Sequence, residues 1–150
     1  MPNWTYLTLH FLHTVALGVW VGGIVAVGAV AAPAVFRTAS SREEAGRIMG
    51  TVFRRFDGVV MGCILLLMIT SPLLVAWFGR LSPWYAIEYV CIAMMSASAI
   101  YSARVVSPRI CRLREEGNAS DNPQFDQLHR VAVLSMQFNL ACGCVALFFS

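Results

Sequence analysis

The sequence predicts an all-α integral membrane protein: a four-helix up-down bundle with an amphipathic interfacial helix on the cytoplasmic side, between the first and second spans. Three observations predict it. The chain of 150 residues is 58% hydrophobic and only 13% charged, against about 25% charged in a soluble domain. The first 36 residues contain no Asp, Glu, Lys or Arg, and Arg37 is the first formal charge. Three further apolar runs follow, separated by short polar connections. A run of about 20 apolar residues crosses a bilayer as a helix.

The first helix is expected over about residues 4–35. Trp4 and Tyr6 suit the interfacial aromatic belt. Met1 to Leu9 has no basic residue, so the run does not read as a cleaved signal and is expected to be retained. Gly18 and Gly22 form a GxxxG pair, extended by Gly23, and small residues let another helix approach closely in lipid. Pro33 is expected to bend or end the helix.

Residues 42–56 read as the amphipathic helix. Ser41 and Glu44 fit a capping box, and Ala45, Ile48, Met49, Val52, Phe53 and Phe56 recur at helical spacing beside Arg42, Arg47, Arg54 and Arg55. Such a helix lies in the interface with Arg toward lipid phosphates, or packs on the ends of the bundle. The second span is expected at about 58–78, with Thr70, Ser71 and Pro72 interrupting its later half. Ser82 and Pro83 open a third span at 84–106, which Pro108 is expected to end. A polar stretch follows, including a cheap sequon match at Asn118-Ala119-Ser120, and a fourth span at 125–149. No repeat or second domain is evident.

All eleven basic residues are Arg, and ten of them lie in or beside the two connections after the first and third spans, leaving Arg80 on the other side. The positive-inside rule places those connections in the cytoplasm and both termini outside, in a bacterial inner membrane. Arg beside apolar runs gives no reason to expect nucleic acid. The expected partners are the bilayer and, through the glycine face, other membrane subunits or a second copy.

Orientation fixes depth. His10 and His13 fall near the outer face and His129 near the cytoplasmic face, roughly 30 Å away, so they do not share a metal or haem. The polar residues on the outer half that could meet His10 and His13 are Thr70, Ser71, Glu88, Cys91, Asn139, Cys142 and Cys144. Glu88 is the only carboxylate side chain on that side, and an ionisable residue inside a span marks a functional site. His10, His13, Glu88, Cys91 and Cys142 are therefore the candidate metal or haem ligands. His with carboxylate suits zinc or copper(II), and His with Cys or Met suits copper(I). The plain alternative is interfacial His in water and Cys as small buried hydrophobes. At the other end, Arg54, Arg55, Asp57, Arg109, Asp126 and His129 are expected to form a polar network that satisfies itself.

The order and spacing of Leu9-His10 through Gly23, Ala32-Pro33-Ala34-Val35-Phe36-Arg37, Ser41 to Gly46, Phe53-Arg54-Arg55-Phe56-Asp57, Val106-Ser107-Pro108-Arg109-Ile110 and Phe125 to Arg130 resemble the transmembrane protein 205-like family. That resemblance covers nearly the whole chain and implies four membrane helices without a defined activity; its eukaryotic relatives are associated with platinum-drug resistance. His13 seven residues before Trp20-Val21-Gly22-Gly23 is similar to the copper-resistance D membrane domain and to the four-helix protoporphyrinogen oxidase. The oxidase likeness implies a haem-ligand role for His13, but that family also needs a Lys, and this chain has none. The resulting expectation is a non-enzymatic membrane protein that handles metal (copper) or haem. The alternatives are an accessory subunit packing through Gly18, Gly22 and Gly23, and a haem-dependent porphyrinogen oxidase-like enzyme.

Overall fold

The computed structural model describes residues 3–79, 82–115 and 123–150. The described residues are almost entirely helical. In chain order they form α1 (Asn3–Val25), a π-helical stretch (Ala26–Ala31), α2 (Ala32–Thr38), α3 (Arg42–Phe78), α4 (Pro83–Tyr101), a second π-helical stretch (Ser102–Val106), α5 (Ser107–Glu115) and α6 (Pro123–Phe149). Four continuous helices result, Trp4–Thr38, Arg42–Phe78, Pro83–Arg114 and Pro123–Phe149, each long and apolar enough to cross a membrane. The sequon and Arg80 lie outside the described residues.

Two boundaries differ from the sequence reading for one reason. Pro33 and Pro108 were both expected to bend or end their helices, yet the chain stays helical through each. In both cases a π-helical stretch finishes two residues or less before the proline. Its wider turn makes room for a ring that would otherwise strike the carbonyl of residue i−4.

A third difference concerns the amphipathic helix. It is not a separate element, because residues 42–56 and 58–78 form one helix of 37 residues. The only breaker between them is Gly58, and one interior glycine costs only about 1 kcal/mol. The buried stripe runs straight through: Ala45, Met49, Val60, Cys63, Ile64, Leu67 and Leu74. The start is capped as expected. Ser41 Oγ accepts from Glu44 N–H at 3.1 Å, and Glu44 Oε2 accepts from Ser40 N–H at 3.0 Å. The end is a left-handed Gly79, φ 64°, whose N–H bonds Val75 O at 3.0 Å. Ser82 precedes α4 but makes no side-chain cap; its carbonyl takes the Ala86 N–H instead.

The helices pack α1 on α3, α3 on α4, α4 on α6 and α6 on α1. Printed contacts fix the registers as antiparallel. Tyr6 meets Phe78 at 5.0 Å and His13 meets Thr70 between α1 and α3. Trp84 stacks on Phe149 at 5.6 Å and Ser98 bonds Ser135 at 2.8 Å between α4 and α6. Thr14 meets Ser150 at 3.3 Å between α1 and α6. Ala16, Leu17, Trp20, Ile24, Ile64, Leu67, Ile92, Met95 and Ala146 fill the centre. Lipid is as apolar as these side chains, so close packing and interhelical hydrogen bonds hold the helices together.

Candidate functional site

The buried stripe of α1 runs His13, Ala16, Leu17, Trp20, Ile24. This 3-4 spacing puts His13 on the core face rather than at the water interface. Its side chain is 0% exposed, as is that of Glu88, one turn into α4, and Thr70 on α3 is 1% exposed. His13 Nε2 lies 2.8 Å from Glu88 Oε1 and His13 Nδ1 lies 2.9 Å from Thr70 Oγ1. One imidazole thus links three helices. The pair is an ion-pair contact between two fully buried side chains.

Thr70 Oγ1 also sits 2.9 Å from Leu66 O, one turn back on α3, and donates to it. In the tautomer with the hydrogen on Nδ1, His13 donates to the Thr70 oxygen and turns Nε2 to Glu88.

The sequence-predicted ligands separate. His13 and Glu88 come together, and Thr70, expected only as one polar residue within reach, joins them. His10 is half-buried one turn nearer the N-terminus, its ring 5.7 Å from Tyr6. Cys91 is buried one turn beyond Glu88 and faces the half-buried Cys142 across the α4–α6 seam. The donor set does not fit a metal or an axial haem. Both nitrogens of His13 are already hydrogen-bonded, and among the described residues no three His, Cys, Asp or Glu side chains gather as a metal needs.

The glycine face is also corrected in part. A Cβ on Gly18 or Gly22 would meet nothing within 4 Å, and both are exposed, so the pair packs against no helix among the described residues. Gly23 does pack, with Phe56 of α3 directly over it. The close helix approach is instead at Gly143 of α6, where a Cβ would strike Val21 and lie 3.1 Å from Met95.

The polar network at the arginine-rich end does not form as expected. Arg54, Arg55, Arg109, Asp126 and His129 are exposed, and no ion pair joins them among the described residues. Exposed charges gain little from pairing when water is available. Asp57 accepts from Ser107 O–H at 3.5 Å, and His129 stacks on Phe125. The organising residue there is Arg114, which was expected only as one of the ten arginines on that side. It donates to Gly46 O and lies 5.7 Å over the Phe125 ring. Gly46 and Gly50 leave the space it needs.

Comparison with known proteins adds a family. A domain of unknown function, DUF4149, matches residues 15–119, more than half of the chain. The chain belongs to the DUF4149 family. Thr70 and Glu88 fall inside the matched DUF4149 region, and His13 lies two residues before it. No curated protein and no solved structure matches the chain. This DUF4149 protein is thus a multi-pass membrane protein with a buried histidine–carboxylate pair, and the family name carries no activity.

Proposed function

We propose that this DUF4149 protein is a non-enzymatic protein of the bacterial inner membrane, with both termini outside, whose buried His13–Glu88–Thr70 contact clamps three spans together. Ten of eleven Arg beside the first and third connections support that orientation. The observation that carries the reading is the 2.8 Å contact of His13 Nε2 with Glu88 Oε1, both side chains at 0% exposure, with Thr70 on the other ring nitrogen. One imidazole then ties α1 to α3 and α4. The test is thermal unfolding in mild detergent, comparing wild type with His13→Ala and Glu88→Ala. Both variants should unfold at lower temperature than wild type. Superimposable profiles would overturn the reading.

The expected copper or haem role finds no support in this donor geometry. A Soret band or stoichiometric copper in purified protein, lost in His13→Ala, would reinstate it. A second reading is favoured by the open positions at Gly18 and Gly22. Here the protein is an accessory subunit, or a homo-oligomer, that packs through this face. Gly18→Leu with Gly22→Leu should then abolish co-purification of the partner and leave the chain folded, and retained co-purification would dismiss it.

A further inference from the structure

Two cysteines face each other across the seam of α4 and α6. Trp84 stacks on Phe149 at 5.6 Å, and Ser98 bonds Ser135 at 2.8 Å. Cys91 lies seven residues after Trp84 and seven before Ser98, while Cys142 lies seven before Phe149 and seven after Ser135. Seven residues make about two helical turns, so the three positions on each helix share one side. The antiparallel register therefore sets Cys91 opposite Cys142, halfway between those two contacts, and the two thiols interact. The helices approach closely here. Gly143 follows Cys142, and a Cβ on it would lie 3.1 Å from the Met95 methyl of α4. At the next position along the seam the Ser98 and Ser135 hydroxyls touch, and cysteine has the length and branching of serine. A disulfide needs side chains of this length aimed at each other from facing backbones.

The other cysteines do not join them. Cys144 is exposed, two residues and about 200° round α6 from Cys142. Cys63 belongs to α3, and Cys111 lies twenty residues beyond Cys91 on one continuous helix, about 30 Å away.

Depth selects the oxidant. From Trp84 to Arg104 is twenty residues, about 30 Å of helix, the thickness of a bilayer's hydrocarbon. The cysteine pair lies about 10 Å inside the Trp84 end. Water-soluble disulfides and soluble oxidoreductases stop at the headgroups, whereas a lipid-soluble quinone reaches this level. Cys91 is 7% exposed, but Cys142 is only half-buried and has the exposed Phe138, Ala141 and Val145 beside it on the outer side of α6. Cys142 is thus the thiol that an oxidant in the lipid meets, with Cys91 behind it to close the bond.

We propose that Cys91 and Cys142 form a reversible dithiol–disulfide site whose oxidant is a lipid-soluble quinone. Two S–H bonds break and one S–S bond forms. The two electrons and two protons pass to the quinone, which leaves as the hydroquinone. The disulfide ties α4 covalently to α6. The step is stoichiometric and independent of the contact of His13 with Glu88 and Thr70.

The test uses the full chain, reduced with dithiothreitol, freed of it and reconstituted under argon in phosphatidylcholine vesicles with or without decylubiquinone. The ring of this quinone is fully substituted. Thiols remaining after denaturation are counted by maleimide–polyethylene glycol labelling on a gel. With quinone, wild type should fall from five free thiols to three, release one hydroquinone per chain and return to five on dithiothreitol. Cys144→Ser should fall from four to two, while Cys91→Ser and Cys142→Ser should each keep all four. Five thiols retained by wild type, or the same loss in Cys91→Ser, overturns the proposal. So does equal oxidation by glutathione disulfide in vesicles without quinone, which would identify a site open to water.

Discussion

Replacing Glu88 separates a charge-assisted contact from an ordinary hydrogen bond. Glu88→Ala leaves His13 Nε2, at 0% exposure, facing a hole. Removing one member of a buried ion pair costs about 3–5 kcal/mol. Glu88→Gln keeps the volume and can donate an amide N–H to Nε2 of the neutral ring. Its cost should be the difference between a charge-assisted bond and a neutral one, about 1–2 kcal/mol. The decisive quantity is the coupling between His13→Ala and Glu88→Ala in a double-mutant cycle. Neutral interhelical hydrogen bonds in membranes average about 0.6 kcal/mol, with a maximum near 1.7. A charge-assisted pair should exceed about 2 kcal/mol. The assay is reversible unfolding in mixed micelles, followed by helical circular dichroism. Coupling at or below about 0.6 kcal/mol, or a Gln variant as damaged as the Ala variant, would refute the reasoning.

Three other outcomes test the packing. Gly23→Leu drives a side chain into Phe56 and should destabilise by about 1–3 kcal/mol, while Gly18→Leu, facing open space, should leave monomer unfolding unchanged. Ser98→Cys with Ser135→Cys should form an intramolecular disulfide on mild oxidation, seen as a mobility shift on a non-reducing gel, because the two hydroxyls are 2.8 Å apart. Asn139 is 6% exposed and its Oδ1 has no partner among the described residues, so Asn139→Leu should be neutral or stabilising in the same unfolding assay.

Much of the architecture was legible along the chain. The apolar runs, the Ser41 cap and the left-over charge of Glu88 in a span are local signals, and each is a property of a few neighbouring residues. Residues 56–58 read as a break in the helix, because arginines surround the first half and an apolar run fills the second; the buried positions Ala45, Met49, Val60 and Ile64 keep one helical period across it. The fate of Pro33 and Pro108 was not legible, since a proline ends a helix or is absorbed by a π turn according to what the packed neighbours permit.

The sequence by itself determined that this chain crosses a membrane, how many helices can do so, and which end gathers the arginines. These follow from composition and order, because a bilayer sorts residues by hydrophobicity along the chain. It also narrowed the candidates for His13 to a handful of polar residues on the same half. Only the tertiary structure decided that His13 points inward and that Thr70 and Glu88 take its two nitrogens, leaving none for a metal. It also decided that Gly23 and Gly143, rather than Gly18 and Gly22, receive a neighbouring side chain. Which face of a helix meets which partner depends on rotation and register between segments tens of residues apart, and no local pattern of residues specifies that.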